Sequence, residues 1–303
     1  MNADRFLTRD VTRIRGEDVR TAPDRLALEE PLEIQVAWGA PESRQWKTVA
    51  ITMRTPGHDE ELAAGFLLGE GLLRSLGQIE AVHARGARQA QGWQNSVRVT
   101  FKPEVAVDLT RLERNFYTTS SCGVCGKTSL EALEVNFLAP LPVSGWQIDE
   151  AVVRQLPARL RESQAIFDQT GGLHAAGFFS PEGRARIVRE DVGRHNAVDK
   201  VIGAQFLGAR GSLADGILVV SGRASFELVQ KALAAGIPML VAVGAPSSLA
   251  VELAEKFGAT LAGFTRETGF NIYTGASRIR LPEPRLAPAT AGHPFLPADI
   301  PAL

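Results

Sequence analysis

Only two cysteines occur in the 303 residues, Cys122 and Cys125. A count that low excludes a small secreted domain held together by several disulfides. Long apolar runs are missing as well: none approaches the roughly 18 residues needed to cross a bilayer. Nor does one sign of charge dominate. The 33 Lys and Arg are matched by 34 Asp and Glu, for a formal net charge of −1. No bulk attraction to nucleic acid or to an anionic membrane is therefore built in. The stretch MNADRFLTRDVTRIRGEDVR is charged and lacks an apolar core, which argues against a secretory signal. These absences set the expectation of a cytoplasmic protein with no nucleic-acid and no membrane partner.

What is present is the composition of a globular chain, 45% hydrophobic and 22% charged. Residues 8–107 read as a small α+β, β-roll-like domain. Alternating segments predict strands at 11–15, 32–38, 47–54, 78–84 and 96–102. One helix interrupts them over 58–73, entered through Pro56-Gly57 with acids in its first turn. Residues 108–280 read as an α/β domain. Helices are expected at 109–116, 129–137 and 149–168, followed by a hairpin over 173–190. Thereafter helices alternate with the apolar strands GILVVSG, MLVAVG and TLAGF, which predicts a three-layer α/β/α sandwich, mostly parallel in its second half. Residues 281–303 hold six of the seventeen prolines and predict a disordered tail.

The two cysteines sit in TTSSCGVCGKTSLEAL (118–133). Three chemistries start from a CxxC. A structural zinc site needs four ligands, and here the second pair is missing while the five histidines are scattered; no metal site is expected. A thioredoxin-like dithiol fits the helix start at Thr128, where Glu131 completes a capping box, although the flanks are rich in glycine and serine. The third reading is a mobile sulfur-carrying arm. A helix N-terminus and Lys127 would enlarge the thiolate fraction. One thiolate could hold a transferred sulfur and the other release it.

Polar residues also gather at strand-to-helix junctions in the second half. REDVGRHNAVDK (189–200) places Asn196 and Asp199 at N-cap and N3 spacing. SGRASFE (221–227) joins small residues and Arg223 at a helix start, an anion-binding pattern. GGLHAAGF (171–178) puts His174 early in a strand, and GFTRETGFNIYTG (263–275) follows the last core strand, where open α/β sheets favour ligands. Taken singly, each is equally compatible with a capped surface helix, a core histidine or an ordinary turn.

Together and in order, SSCGVCGK, GGLHAAGF, EDVGRHNAVDKVIG, SGRASFELVQKA and GFNIYTG closely resemble the formate dehydrogenase accessory (FdhD-type) sulfur carriers, over residues 15–280. The resemblance implies a sulfurtransferase. It would take persulfide sulfur from a cysteine desulfurase and pass it to the molybdenum bis(pterin guanine dinucleotide) cofactor before insertion into apo formate dehydrogenase. It implies Cys122 as the persulfide carrier, Cys125 as its partner, and Phe264, Thr265, Arg266, Glu267, Thr268 and Gly269 as the cofactor-binding stretch. Glu267 and Thr268 stand where many members carry asparagine and arginine. The implied fold of the larger domain is similar to the cytidine-deaminase fold. A guanine nucleotide such as GDP or GMP would mimic part of the ligand, and its two similar ends suggest a homodimer. A thioredoxin-like dithiol oxidoreductase and a non-catalytic chaperone for cofactor or apo-enzyme remain the alternatives.

Overall fold

The computed structural model of the protein describes residues 5–89, 92–109, 138–142, 145–208 and 212–282. Cys122, Cys125, the helix expected at 129–137 and most of the helix expected at 109–116 lie outside these residues, as does the chain after Pro282. No helix among the described residues is long and apolar enough to cross a membrane.

The chain begins with a two-stranded antiparallel ribbon, β1 (Phe6–Arg15) and β2 (Asp18–Ala27). Its turn needs a positive φ, supplied by Gly16 at 59°. The sequence predicts only part of β1 and none of β2. Both faces of the ribbon are largely exposed, so burial writes no period-2 pattern into DVRTAPDRLA. Pro23 is tolerated because β2 has a neighbour on one side only.

The other expected strands of this half form one sheet in the order β4-β3-β6-β5. They are β3 (Glu30–Trp38), β4 (Gln45–Arg54), β5 (Ile79–Arg88) and β6 (Gln94–Phe101). The central pair β3–β6 is parallel, and its flanking pairs are antiparallel. Helix α1 (Asp59–Gly69) lies between β4 and β5 in the chain and ends earlier than the apolar run to Leu73 suggests. It is apolar nearly all round, with Leu62, Ala63, Ala64, Leu67 and Leu68 buried, because it is covered on two sides.

The second sheet has six strands in the order β13-β12-β11-β10-β8-β9. After the short β7 (Ile148–Asp149), which lies outside this sheet, the expected hairpin is β8 (His174–Phe179) with β9 (Ala185–Asp191). The three apolar runs are β10 (Ile217–Val220), β11 (Met239–Ala242) and β12 (Thr260–Arg266), mutually parallel. β13 (Gly269–Thr274) turns back on β12 and closes one edge. Helix α2 (Glu150–Arg161) covers one face, packing Val153, Leu156 and Leu160 on Phe179, Val219 and Val241. Helices α4 (Arg194–Leu207), α5 (Phe226–Ala234) and α6 (Ser248–Lys256) cover the other, against Phe178, Leu218, Val220 and Leu240. The result is a mixed α/β fold with three layers around this sheet. The helix expected over 149–168 is broken into α2 and a short α3 (Phe167–Thr170). The Glu190 carboxylate takes the backbone N–H groups of Ile166 and Phe167, which starts a new turn there.

The two sheets share one hydrophobic core. Leu32, Ile34, Val97 and Phe101 pack through Leu62 and Leu67 of α1 onto Val198 and Val201 of α4. At the crossing, a Cβ on Gly65 would collide with the Asp199 carbonyl, and one on Gly203 with the Glu61 carbonyl. Three buried ionic contacts pin the same junction. Arg54, fully buried, forks onto both oxygens of Asp59 at 3.0 Å. Lys231 pairs with Asp199 at 2.8 Å. Burial pushes the Asp199 carboxyl up to about 6 against the pull of Lys231. For Lys231 burial acts downward, but Asp199, Glu70 and Glu227 outweigh it and the ammonium is held above its ordinary value.

The third contact is the Asp191–Lys200 pair at 2.6 Å, with side chains 0% and 1% exposed. Asp191 also accepts from the N–H groups of Thr55 and Gly193 and from Asn196 Nδ2, while Lys200 donates to the Thr55 carbonyl. Asp191→Ala leaves that ammonium buried and unpaired, with an expected cost of about 3–5 kcal/mol. Urea unfolding should show the lowered midpoint with an unchanged slope; a midpoint matching wild type would mean the pair does not hold the junction.

Candidate functional site

Strand direction decides what the six-stranded sheet presents at each edge. β10, β11 and β12 all end on one edge, and the antiparallel β8 begins there. His174 opens β8 and pairs with Asp191, the last residue of β9. Arg194 and His195 follow at the start of α4. Ser221–Ser225 link β10 to α5, Gly244–Ser247 link β11 to α6, and Phe264–Arg266 end β12. Three helix N-termini therefore open on this edge, each with unpaired backbone N–H groups and a partial positive charge.

The loops are tied to one another by their backbones. Gly244 N donates to Gly222 O, Ala224 N to Ala245 O, and Ser247 N to Ala224 O, at 3.0–3.1 Å. Phe264 N donates to Gly244 O at 3.1 Å. Ser221 exchanges two bonds with Ala175 N and O. The outcome is a continuous shelf rather than independent turns. Phe264 carries a φ of 52°, a left-handed conformation that is strained for an aromatic residue. Next to it Thr265 is fully buried, and its hydroxyl has no hydrogen-bond partner among the described residues. An orphaned hydroxyl beside a strained backbone suits a ligand-contacting strand end.

Cationic and imidazole side chains collect here. Arg194, Arg223 and Arg266 have no carboxylate partner among the described residues, whereas Arg54, Arg154, Arg161 and Arg189 are all paired. The Nε of Arg194 is buried without a partner. His195 Nε2 lies 3.4 Å from Ser225 Oγ and 3.9 Å from a Glu227 oxygen. Burial, then Arg194 and Lys231, push its imidazole down from 6.5 to about 4. Burial and Arg194 also lower His174. Both rings are thus neutral at pH 7, and the positive charge on the shelf belongs to guanidiniums.

The stretch 264–269 is the end of β12 plus the turn into β13, with Arg266 paired to Gly269 across that turn. The fold brings it to the same edge as His174, the 189–200 segment and the 221–227 turn. Some members of those segments point elsewhere. Arg189 pairs with Glu61, and Asp199 with Lys231. Asn196 and Asp199 do not cap a helix, in contrast to the expectation from their spacing. α4 starts at Arg194 after Gly193, and Asn196 is drawn instead to the Met53 carbonyl and Asp191. The sequence reading missed the loop 243–247. Its signal was present as a short similarity: SGRAS (221–225) and VGAPS (243–247) share their glycine and serine positions, and Ala224 bridges Pro246 in parallel. A cleft of about 730 Å³ exists at the opposite edge, between Trp146, Glu255, Gly275 and Arg278. Arg278 there donates to Gly258 O and Thr260, so we place the site at the shelf, where unpaired cations converge.

A group whose pKa falls on folding contributes stability above its unfolded value, and that contribution is lost as pH drops through the folded value. For His195 the window runs from 6.5 down to about 4. NMR titration of the His195 ring should show a midpoint near pH 4 in the folded protein. A midpoint near 6.5 would mean a solvated, cationic ring and refute the neutral shelf.

Comparison with known proteins identifies the family of the chain. Residues 27–280 match the FdhD/NarQ family. A relative from Streptomyces coelicolor, named sulfur carrier protein FdhD, is 50% identical over 279 residues, covering 90% of this chain and 95% of its own. One of the same name from Mycobacterium tuberculosis is 48% identical, covering 89% and 97%. A similar solved structure is that of a candidate formate dehydrogenase accessory protein from Desulfotalea psychrophila. It has a TM-score of 0.69 and 25% identity, over 91% of this chain and 100% of that one. The chain belongs to the FdhD/NarQ family.

Proposed function

We propose that the protein is a sulfur carrier that loads Cys122 from a cysteine desulfurase and delivers the sulfur to a molybdenum bis(pterin guanine dinucleotide) cofactor destined for formate dehydrogenase. The observation that carries the substrate assignment is the shelf: three helix N-termini meet at one sheet edge with three arginines and the Thr265 hydroxyl, which among the described residues have no carboxylate and no hydrogen-bond partner respectively. A large ligand rich in phosphate and carrying a stackable base needs that combination. Phe264 would face the base, and Thr265 and Arg266 would supply polar contacts, with Glu267, Thr268 and Gly269 closing the turn. Phosphate-rich substrate and sulfur chemistry belong in the cytoplasm, where free thiols persist. The two-ended ligand is matched by a homodimer in which each copy holds one end.

The sulfur steps balance without an added oxidant. The Cys122 thiolate attacks the outer sulfur of the desulfurase persulfide. That S–S bond breaks, the donor leaves as thiolate, and Cys122 becomes the persulfide. Attack by Cys125 on the inner sulfur of Cys122 then expels hydrosulfide and leaves a Cys122–Cys125 disulfide, which a cellular dithiol reduces. Incubation with desulfurase and cysteine should add about 32 Da, one sulfur, to the peptide holding Cys122. Cys122→Ala should abolish the gain. Undiminished loading of that variant would reject Cys122 as the carrier.

A further inference from the structure

The geometry points to a phosphate-binding subsite made by Arg194 and Arg223 at the starts of α4 and α5, distinct from the base-binding end at Phe264. It rests on the proposal that this edge takes a nucleotide-bearing ligand, and it adds which end of the ligand lies where.

Four observations carry it. First, the start of α4 and the Ser221–Ser225 turn touch. His195 reaches Ser225, and the His174 ring lies beside Gly222, 3.7 Å from where a Cβ would stand. Second, neither arginine has a carboxylate partner among the described residues, and the buried Arg194 Nε is unsatisfied. A guanidinium nitrogen taken from water without an acceptor is costly, and a phosphate oxygen is the acceptor it suits best. Third, the groups facing these arginines leave a positive balance. His174 and His195 are neutral, Asp191 is held by Lys200 and Lys231 by Asp199; among the described residues Glu227 is the one further carboxylate acting on this group, and it feels both His195 and Arg194, so two guanidiniums face one carboxylate. Glu227 is itself bonded by the Ser225 hydroxyl in the first turn of α5. Fourth, β12 lies two strands from β10, a lateral offset of about 10 Å. A nucleoside diphosphate spans a comparable length, so a base at Phe264 sets its phosphates beside the Ser221–Ser225 turn.

Calorimetric binding of GDP, guanosine and inorganic pyrophosphate to the full chain tests this. Arg194→Gln and Arg223→Gln should each weaken GDP at least tenfold and guanosine less than twofold. Equal weakening of both ligands, or none, would overturn the subsite. Pyrophosphate binding that is lost in Arg194→Gln, with no added affinity for GDP, would keep the subsite and sink the nucleotide assignment instead. Wild-type protein that binds neither GDP nor pyrophosphate would sink the subsite. Because Arg194 is partly buried, urea midpoints accompany the series, and the exposed Arg223 decides the outcome if Arg194→Gln unfolds.

Discussion

Helices α1 and α4 cross with backbone against backbone, and almost everything else in the molecule is arranged around that contact. Gly65 and Gly203 permit it, since neither position has room for a Cβ. Close approach brings the four-stranded sheet and the six-stranded sheet onto a common core. It also buries the ends of long polar side chains, which then have to find partners. Arg54 with Asp59, Lys200 with Asp191 and Lys231 with Asp199 are those partners, all within or beside the crossing. Breaking one leaves a buried charge, which costs far more than a surface pair is worth. The same crossing fixes where α4 begins. Its first residues, Arg194 and His195, are therefore delivered to the sheet edge by a rigid element rather than by a loop.

That rigidity separates two kinds of charge. Ions inside the crossing are paired and hold the fold. The shelf guanidiniums of Arg194, Arg223 and Arg266 have no such carboxylate partner among the described residues. The His195 ring stands at the border: its neutrality comes from burial and from Arg194 and Lys231, one charge from each group. A ring placed there adds no positive charge to the shelf, so that charge is carried by guanidiniums.

Much of this was legible in the sequence. Strands with one face buried, such as β4, wrote it into alternation, and those buried on both faces, β10–β12, into apolar runs. The polar segments at strand-to-helix junctions do fall together, at one edge of the six-stranded sheet. β2 was not legible, because an exposed ribbon imposes no periodicity on DVRTAPDRLA. The break between α2 and α3 was not legible either, since it depends on Glu190, more than twenty residues away in sequence. Nor could spacing tell that Asn196 and Asp199 are drawn off by Met53, Asp191 and Lys231 instead of capping a helix. That Arg194 has no carboxylate partner among the described residues is a property of three-dimensional surroundings, and composition cannot express it.

The hydrogen bonds that join the Ser221–Ser225, Gly244–Ser247 and β12 ends also restrict how this edge can change over time. A side chain at Gly244 would press on Arg223, and one at Gly263 on Pro246 and Tyr273. A turn that shifts to admit a new residue drags its neighbour's backbone with it. Tolerated variation here is therefore expected in concerted sets across three distant stretches of sequence. A lone substitution in any one of them works against the other two.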